Sequence, residues 1–341
     1  MLISLLGVVI LQYLMKRAAY YSPFKIIGMG NKLMIFRKLL AVIAITLGLS
    51  AFTLVHAQTN KAFDISITTL DGESTTLNQL VADKPVYLKF WATWCQPCRE
   101  QMPHLQQTFE HYGDEIDVIS VNIDVNDSVE AINATQQEFG LTVPVVIDAT
   151  GKLAQAFDLL GTPYHLLIDT DGRVVFKGHE ASDKLEKTLK LLSASNSVIL
   201  PAVEIEQLIE QPSLVTKTDQ LTALFFTATW CDWYLEASRP AIANNCINGQ
   251  QQANTLYKLN PQLNWLGITS RLWTGDKELA EYKGKYQIQY PLIIDSHDQE
   301  FVRYQVKDFP TLILLKDGKE VFRTSEFSNQ HDVANTILEF K

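Results

Sequence analysis

The chain contains the same pattern twice, and that constrains its fold more than any other feature. Phe90-Trp-Ala-Thr-Trp-Cys95 recurs as Phe226-Thr-Ala-Thr-Trp-Cys231. Val143-Pro-Val-Val-Ile-Asp148 recurs as Tyr290-Pro-Leu-Ile-Ile-Asp295, and the run from Thr162-Pro163 to Phe176 recurs from Phe309-Pro310 to Phe322, one residue shorter. The offset is 136 residues between Cys95 and Cys231 but 147 between Pro144 and Pro291 and between Pro163 and Pro310. The second copy therefore holds 147 − 136 = 11 extra residues between its cysteine and its first matching proline, and Cys246 falls among them. A length of 341 residues accommodates two such units with separate cores, at roughly 100–200 residues per domain.

Each copy reads as strand, cysteine turn, helix, strand, helix, strand, hairpin, helix. In the first, Val86 to Phe90 reads as a buried strand, Pro97 to Tyr112 as helix, Asp117 to Asn122 as strand, Asp127 to Phe139 as helix and Val143 to Ile147 as extended. Tyr164 to Ile168 and Arg173 to Lys177 are β-rich runs joined at Asp171-Gly172, a hairpin turn signal. Strands alternating with helices predict an α/β fold with helices on both faces of a sheet. The Ser-rich, Pro-containing stretch from Ser193 to Gln211 is the expected boundary.

The first 57 residues have a different composition, with six basic residues and no acid. Met34-Ile-Phe-Arg-Lys38 followed by an apolar run from Leu39 to Val55 and by His56-Ala57 reads as a signal peptide cleaved before Gln58, with translation starting at Met34. The competing reading is a retained membrane anchor, although 17 apolar residues are at the lower limit for a span. Either way the remainder is exported. Without the leader the net charge moves from −9 to (29 − 6) − 38 = −15, which argues against a nucleic-acid surface. All four cysteines, Cys95, Cys98, Cys231 and Cys246, lie in the exported part, where disulfides persist.

Trp94-Cys95-Gln96-Pro97-Cys98 leaves a buried strand and opens a helix. There the helix dipole and unpaired N–H groups favour a thiolate on Cys95, and the two-residue spacing lets Cys98 resolve a mixed disulfide. Phe90-Trp-Ala-Thr-Trp-Cys-Gln-Pro-Cys-Arg-Glu-Gln-Met-Pro103, followed by Gly161-Thr-Pro163 before a strand and hairpin, resembles thioredoxin-fold domains of the periplasmic TlpA/ResA type. The resemblance implies two tandem thioredoxin-like domains, each a central mixed sheet flanked by helices, after the leader at 1–57. The catalytic domain would run from 58 to 195, and a degenerate copy with the Cys246 insertion from 196 to 341. It further implies thiol–disulfide exchange on protein disulfides without a cofactor or metal, commonly reduction, with electrons from a membrane thiol reductase of the DsbD type. It assigns Pro163 a cis peptide against the disulfide, and gives Thr162, Pro163 and Trp94 the substrate surface. Two positions depart from the pattern. Lys89 stands where thioredoxin has a buried acid, and Gln101, beside Glu100, stands where ResA-type members carry Glu.

Other uses of the dithiol are weaker. A four-thiol zinc site needs a second ligand pair at suitable spacing, and covalent haem needs His where this chain has Arg99. Copper(I) held by Cys95 and Cys98, with His104, is the alternative function, as a copper-binding or client-holding protein without turnover. In the second copy Tyr234 replaces the second cysteine. Cys231 is then paired with Cys246, a lone nucleophile, or a relic. One unbroken helix would hold Cys231 and Cys246 more than about 20 Å apart. Arg239-Pro240 and Asn244-Asn245 are breakers, however, and the even cysteine count favours pairing, which closes a loop worth about 3 kcal/mol. Trp230 is expected beside its sulfur; Trp91, Trp265 and Trp273 read as core. His111, His165, His179 and His297 read as surface residues, and Asp114 to Asp127 as a solvated acidic edge.

Overall fold

The computed structural model describes residues 61–194, 200–204, 212–215 and 220–328. The leader at 1–57, its cleavage or retention, and the expected boundary at 195/196 lie outside them. Among the described residues no helix is long and apolar enough to cross a membrane.

Two five-stranded mixed sheets form an N-terminal and a C-terminal lobe. The first holds β3 (Val86–Trp91), β4 (Asp117–Asn122), β5 (Val145–Ile147), β6 (Tyr164–Ile168) and β7 (Val174–Gly178), in the order β5-β4-β3-β6-β7. A small antiparallel pair precedes it, β1 (Ser66–Thr68) with β2 (Ser74–Thr76), leading into α1 (Leu77–Val81). The second sheet holds β8 (Thr222–Thr227), β9 (Asn264–Thr269), β10 (Leu292–Ile294), β11 (Thr311–Lys316) and β12 (Lys319–Thr324), in the corresponding order β10-β9-β8-β11-β12. In both, the central strand pairs parallel on one side and antiparallel on the other.

Strand alternation decides what each face touches. Leu224 and Phe226 of β8, with Ile313 and Leu315 of β11, join one apolar core that continues into the N-terminal lobe. Ala223, Phe225, Leu312 and Leu314 point the other way, into a separate cluster with Trp265 and Tyr290. The Leu224/Phe226 face packs on its own lobe, with Phe226 meeting Phe301 at 5.1 Å and Tyr304 at 5.8 Å between ring centroids, and also carries the core into the first lobe.

The N-terminal helices are α2 (Gln96–Glu100), α3 (Met102–Tyr112), α4 (Val129–Phe139), α5 (Lys152–Ala156) and α6 (Asp183–Ala194). The single helix expected from Pro97 to Tyr112 is interrupted at Gln101, because Pro103 has no N–H to offer Arg99 and resets the helix one residue later. Helix α4 begins later than Asp127, with Ser128 as its cap: the Ser128 hydroxyl accepts the Ala131 N–H at 3.2 Å. Gly172, at φ +73°, makes the expected β6–β7 hairpin.

In the C-terminal lobe α7 (Cys231–Tyr234) stops after four residues, and the chain turns through Leu235 to Arg239 before α8 (Pro240–Leu259). Pro at the first helical position suits a helix start. The extra residues lengthen α8 to 20 residues, against 11 in α3. Then follow α9 (Asp276–Tyr286) and α10 (Gln299–Arg303).

Candidate active site

Cys95 caps the N-terminus of α2, with its sulfur accepting the Cys98 N–H at 3.2 Å, and the two cysteines form a disulfide with Cα atoms 5.2 Å apart. Two side chains fix the approach to this turn. Asp127 accepts the Thr93 N–H at 2.9 Å and the Thr93 hydroxyl, and also takes the Asn122 amide at 2.8 Å. Trp94 Nε1 donates to the Val125 carbonyl at 2.7 Å. The expected solvated edge is thus corrected: Asp127 is half-buried and tied to the cysteine turn, and Asp124 pairs with Lys307 of the other lobe at 2.6 Å. Burial raises the Asp127 carboxyl, and its Thr93 and Asn122 hydrogen bonds oppose the rise. Thr162 and Pro163 are buried and joined by a cis peptide.

A buried polar network lies beneath the turn. Lys89 is fully enclosed, donates to the Gln101 carbonyl at 2.9 Å, and is pushed down to about 7 by burial. The Gln101 amide nitrogen donates to the His179 carbonyl at 3.2 Å, which leaves its Oε1 to accept from His165 Nε2 at 2.8 Å. His165 Nδ1 is then free to accept the Tyr87 hydroxyl at 2.6 Å. A neutral ring satisfies both contacts, and burial, reinforced by Lys89, pushes His165 down to about 3. His179 Nδ1 donates to the Pro163 carbonyl at 2.7 Å, joining this network to the Thr162-Pro163 loop. The surface assignment of His165 is therefore corrected, whereas His179 is exposed as expected. His165 is wholly buried, facing Lys89 across the β3–β6 register, and His179 braces the proline loop. The alternation of β6 was the available signal, since His165 sits in an otherwise apolar strand. His104 Nε2 meets Glu186 at 2.6 Å.

The C-terminal lobe covers this face. Trp94 packs on Trp230 at 5.0 Å between ring centroids, on Trp273 at 5.8 Å and on Tyr234 at 6.1 Å. The Gln96 N–H donates to the Tyr234 hydroxyl at 3.3 Å, and Arg239 donates to the Thr93 hydroxyl at 2.7 Å. The Trp273 N–H donates to the Leu160 carbonyl at 2.8 Å, and a Cβ on Gly161 would lie 2.4 Å from the Trp273 indole nitrogen, so only glycine fits there. Arg271 meets Asp158 at 2.6 Å. Trp273 is thus corrected from core residue to interface residue, 37% exposed, while Trp91 and Trp265 are core. Cys95 and Cys98 are both 0% exposed.

In the C-terminal lobe the structure brings Cys231 and Cys246 together as a disulfide, with Cα atoms 6.1 Å apart. Their sulfurs lie 4.0 and 3.5 Å from the Phe309 carbonyl oxygen. Trp230 Nε1 donates to the Leu272 carbonyl at 2.8 Å, as Trp94 does to Val125. Tyr234, in the place of a second CxxC cysteine, turns to the other lobe instead.

Comparison with known proteins accords with this geometry. The AhpC/TSA family matches residues 59–177. The thiol-disulfide oxidoreductase ResA of Bacillus thuringiensis subsp. konkukian (strain 97-27) is 31% identical over 130 residues, which cover 37% of this chain and 73% of that protein. The chain belongs to the ResA family of thiol-disulfide oxidoreductases. The thioredoxin-like protein YneN of Bacillus subtilis (strain 168) is 33% identical over 134 residues, covering 38% of this chain and 78% of that one. The solved structure of the exposed lipoprotein thioredoxin of Streptococcus pneumoniae strain TIGR4 is 29% identical, covering 38% of this chain and 98% of that one, with a TM-score of 0.33. The family match covers 177 − 59 + 1 = 119 of the 341 residues of this ResA-family oxidoreductase and ends within the N-terminal lobe.

Proposed function

We propose that this oxidoreductase is exported and reduces disulfides in client proteins, with Cys95 as the attacking thiol and Cys98 as the resolving one. The observation that carries the reading is the pair itself: two cysteines on one turn, 5.2 Å apart at Cα, opening a helix just after β3, which pairs with β6 from the residue following Pro163. Reduced Cys95 attacks a client disulfide and displaces one client sulfur as a thiolate. Cys98 then attacks the Cys95–client bond, releases the second client sulfur and closes the Cys95–Cys98 disulfide. Trp94, Thr162 and Pro163 form the client surface, and a membrane thiol reductase resets the pair. Residues 1–57 form the leader, 58–195 the catalytic domain, and 196–341 a degenerate thioredoxin-like copy; a periplasmic location follows from the leader and the compartment it implies. Because both cysteines are enclosed, a client reaches them only when the C-terminal lobe moves off.

The test is insulin reduction by the mature chain, with Cys95→Ser as the control. Robust wild-type activity, falling to background in the variant, supports the reading. A wild-type chain that leaves insulin intact while taking up stoichiometric copper(I) favours the metal-binding alternative.

A further inference from the structure

We propose that Cys231 and Cys246 are a second thiol–disulfide exchange site, and that it exchanges electrons with Cys95 and Cys98 of the same chain. The inference rests on the exchange chemistry assigned above to Cys95 and extends it to a pair that is not a CxxC.

Position is the first argument. Cys231 follows a central strand and a Thr-Trp pair, as Cys95 does, and the tryptophans before the two cysteines make matching hydrogen bonds to backbone carbonyls. The place of the missing resolving cysteine is empty of sulfur because Tyr234 points into the other lobe. Cys246 fills that chemical role from a different element. Helix α8 restarts at Pro240, runs back past the turn and delivers Cys246 to Cys231 with both sulfurs at the Phe309 carbonyl. Gly249, one turn further along α8, holds the helix on this loop, since a Cβ there would lie 2.3 Å from the Pro310 ring. The helix is thus fitted to the loop at the level of single atoms.

Access is the second argument. Cys231 and Cys246 are 0% and 1% exposed, so a client cannot reach them in this arrangement. What faces their turn is the turn of the first pair, through Trp94 on Trp230 and Gln96 on Tyr234. The surface on which a client disulfide would rest on Cys95 is occupied by the lobe that carries another disulfide.

The exchange balances within the chain. Reduced Cys95 attacks the Cys231–Cys246 bond; a Cys95–Cys231 bond forms and Cys246 leaves as a thiolate that takes up a proton. Cys98 loses its proton, attacks Cys95 and releases Cys231, so two electrons and two protons pass from the first pair to the second.

The experiment traps the intermediate. Full-length mature Cys98→Ser protein, purified under oxidising conditions and mapped without reduction, should yield a peptide linking Cys95 to Cys231 or Cys246, with the Cys231–Cys246 peptide lost in proportion and the yield independent of protein concentration. An intact Cys231–Cys246 peptide beside free Cys95, or beside a Cys95–Cys95 linked dimer, overturns the proposal. A parallel reaction with the small disulfide 5,5′-dithiobis(2-nitrobenzoate) keeps the two readings apart. Cys95 that reacts with it but leaves Cys231–Cys246 intact sinks only this inference, whereas unreactive Cys95 sinks the assigned exchange chemistry itself. Stepwise reduction of the wild-type chain with dithiothreitol gives an independent readout that needs no variant. Free thiols should appear at both pairs before either is fully reduced; complete reduction of Cys95–Cys98 with Cys231–Cys246 still fully linked counts against exchange.

Discussion

The two cysteine turns start alike and diverge within four residues. In the N-terminal lobe Gln96-Pro97 lies exposed and Cys98 closes the pair inside one turn. In the C-terminal lobe Asp232 is buried and bound to Lys285 at 2.7 Å and to the Tyr286 hydroxyl, Tyr234 leaves for the neighbouring lobe, and the second sulfur comes from 15 residues away. One scaffold therefore supports a sulfur pair by two routes. The strand and the proline loop are common to both, while the helix after the turn decides where the second cysteine can come from. The same comparison shows a division of labour, since the altered turn seals the unaltered one.

The sharpest way to break the comparison is Cys98→Ala. Insulin turnover should fall to background while Cys95 of the fully reduced variant still reacts stoichiometrically with a small disulfide, because only the resolving step is lost; sustained turnover would mean that Cys246 can resolve for Cys95. Trp273→Ala comes next. It removes a large aromatic from the seal, a change worth about 2–4 kcal/mol at well-packed interfaces. Alkylation of reduced Cys95 by iodoacetamide should accelerate by roughly 30- to 800-fold if opening limits access, and an unchanged rate would show that the lobes part without strain on this contact.

Gly249→Ala tests the fit of α8 to the Pro310 loop. Overpacking costs typically about 1–3 kcal/mol and the helix-propensity gain returns about 1, so a net loss near 1 kcal/mol and a lower Tm are expected. A raised Tm would show that the loop yields easily. Lys89→Met should show itself as a pH dependence. Burial pushes Lys89 down to about 7 from the 10.5 of the unfolded chain. Between those values the unfolded chain holds the proton and the folded one does not, so stability rises with pH from about 7 to 10.5 and is lowest below 7. The variant should flatten that rise, of up to about 1.4 kcal/mol per pH unit, in urea titrations of the oxidised protein. The Gln101 carbonyl keeps the Leu105 N–H at 3.1 Å, so the substitution leaves it paired.

Much of this was legible in the sequence because it is local. The strand before each cysteine, the hairpin at Asp171-Gly172 and the break at Pro240 each follow from a few adjacent residues. Lys89 stands out in the sequence as a departure, but its partners do not, because Gln101 and His165 meet it only through the β3–β6 register and the reset at Pro103. Asp127 is hidden in the sequence for a similar reason. Its acidic neighbours suggested a solvated edge, and nothing in the run shows that Thr93, 34 residues earlier, claims both oxygens. Trp273 is the least legible, since its place on Gly161 depends on how two lobes dock, and single-chain patterning holds no record of docking.

The continuous apolar core has a consequence in time. Everything the N-terminal sheet needs is synthesised by Ala194, whereas the covering lobe is complete only near Phe327, 327 − 194 = 133 residues later. At about 5–20 residues per second, that is an interval of roughly ten seconds. Within it the nascent chain already carries a finished CxxC turn with Trp94 uncovered, a reactive and adhesive surface whose first visitor is another unfolded chain unless the second lobe arrives in time.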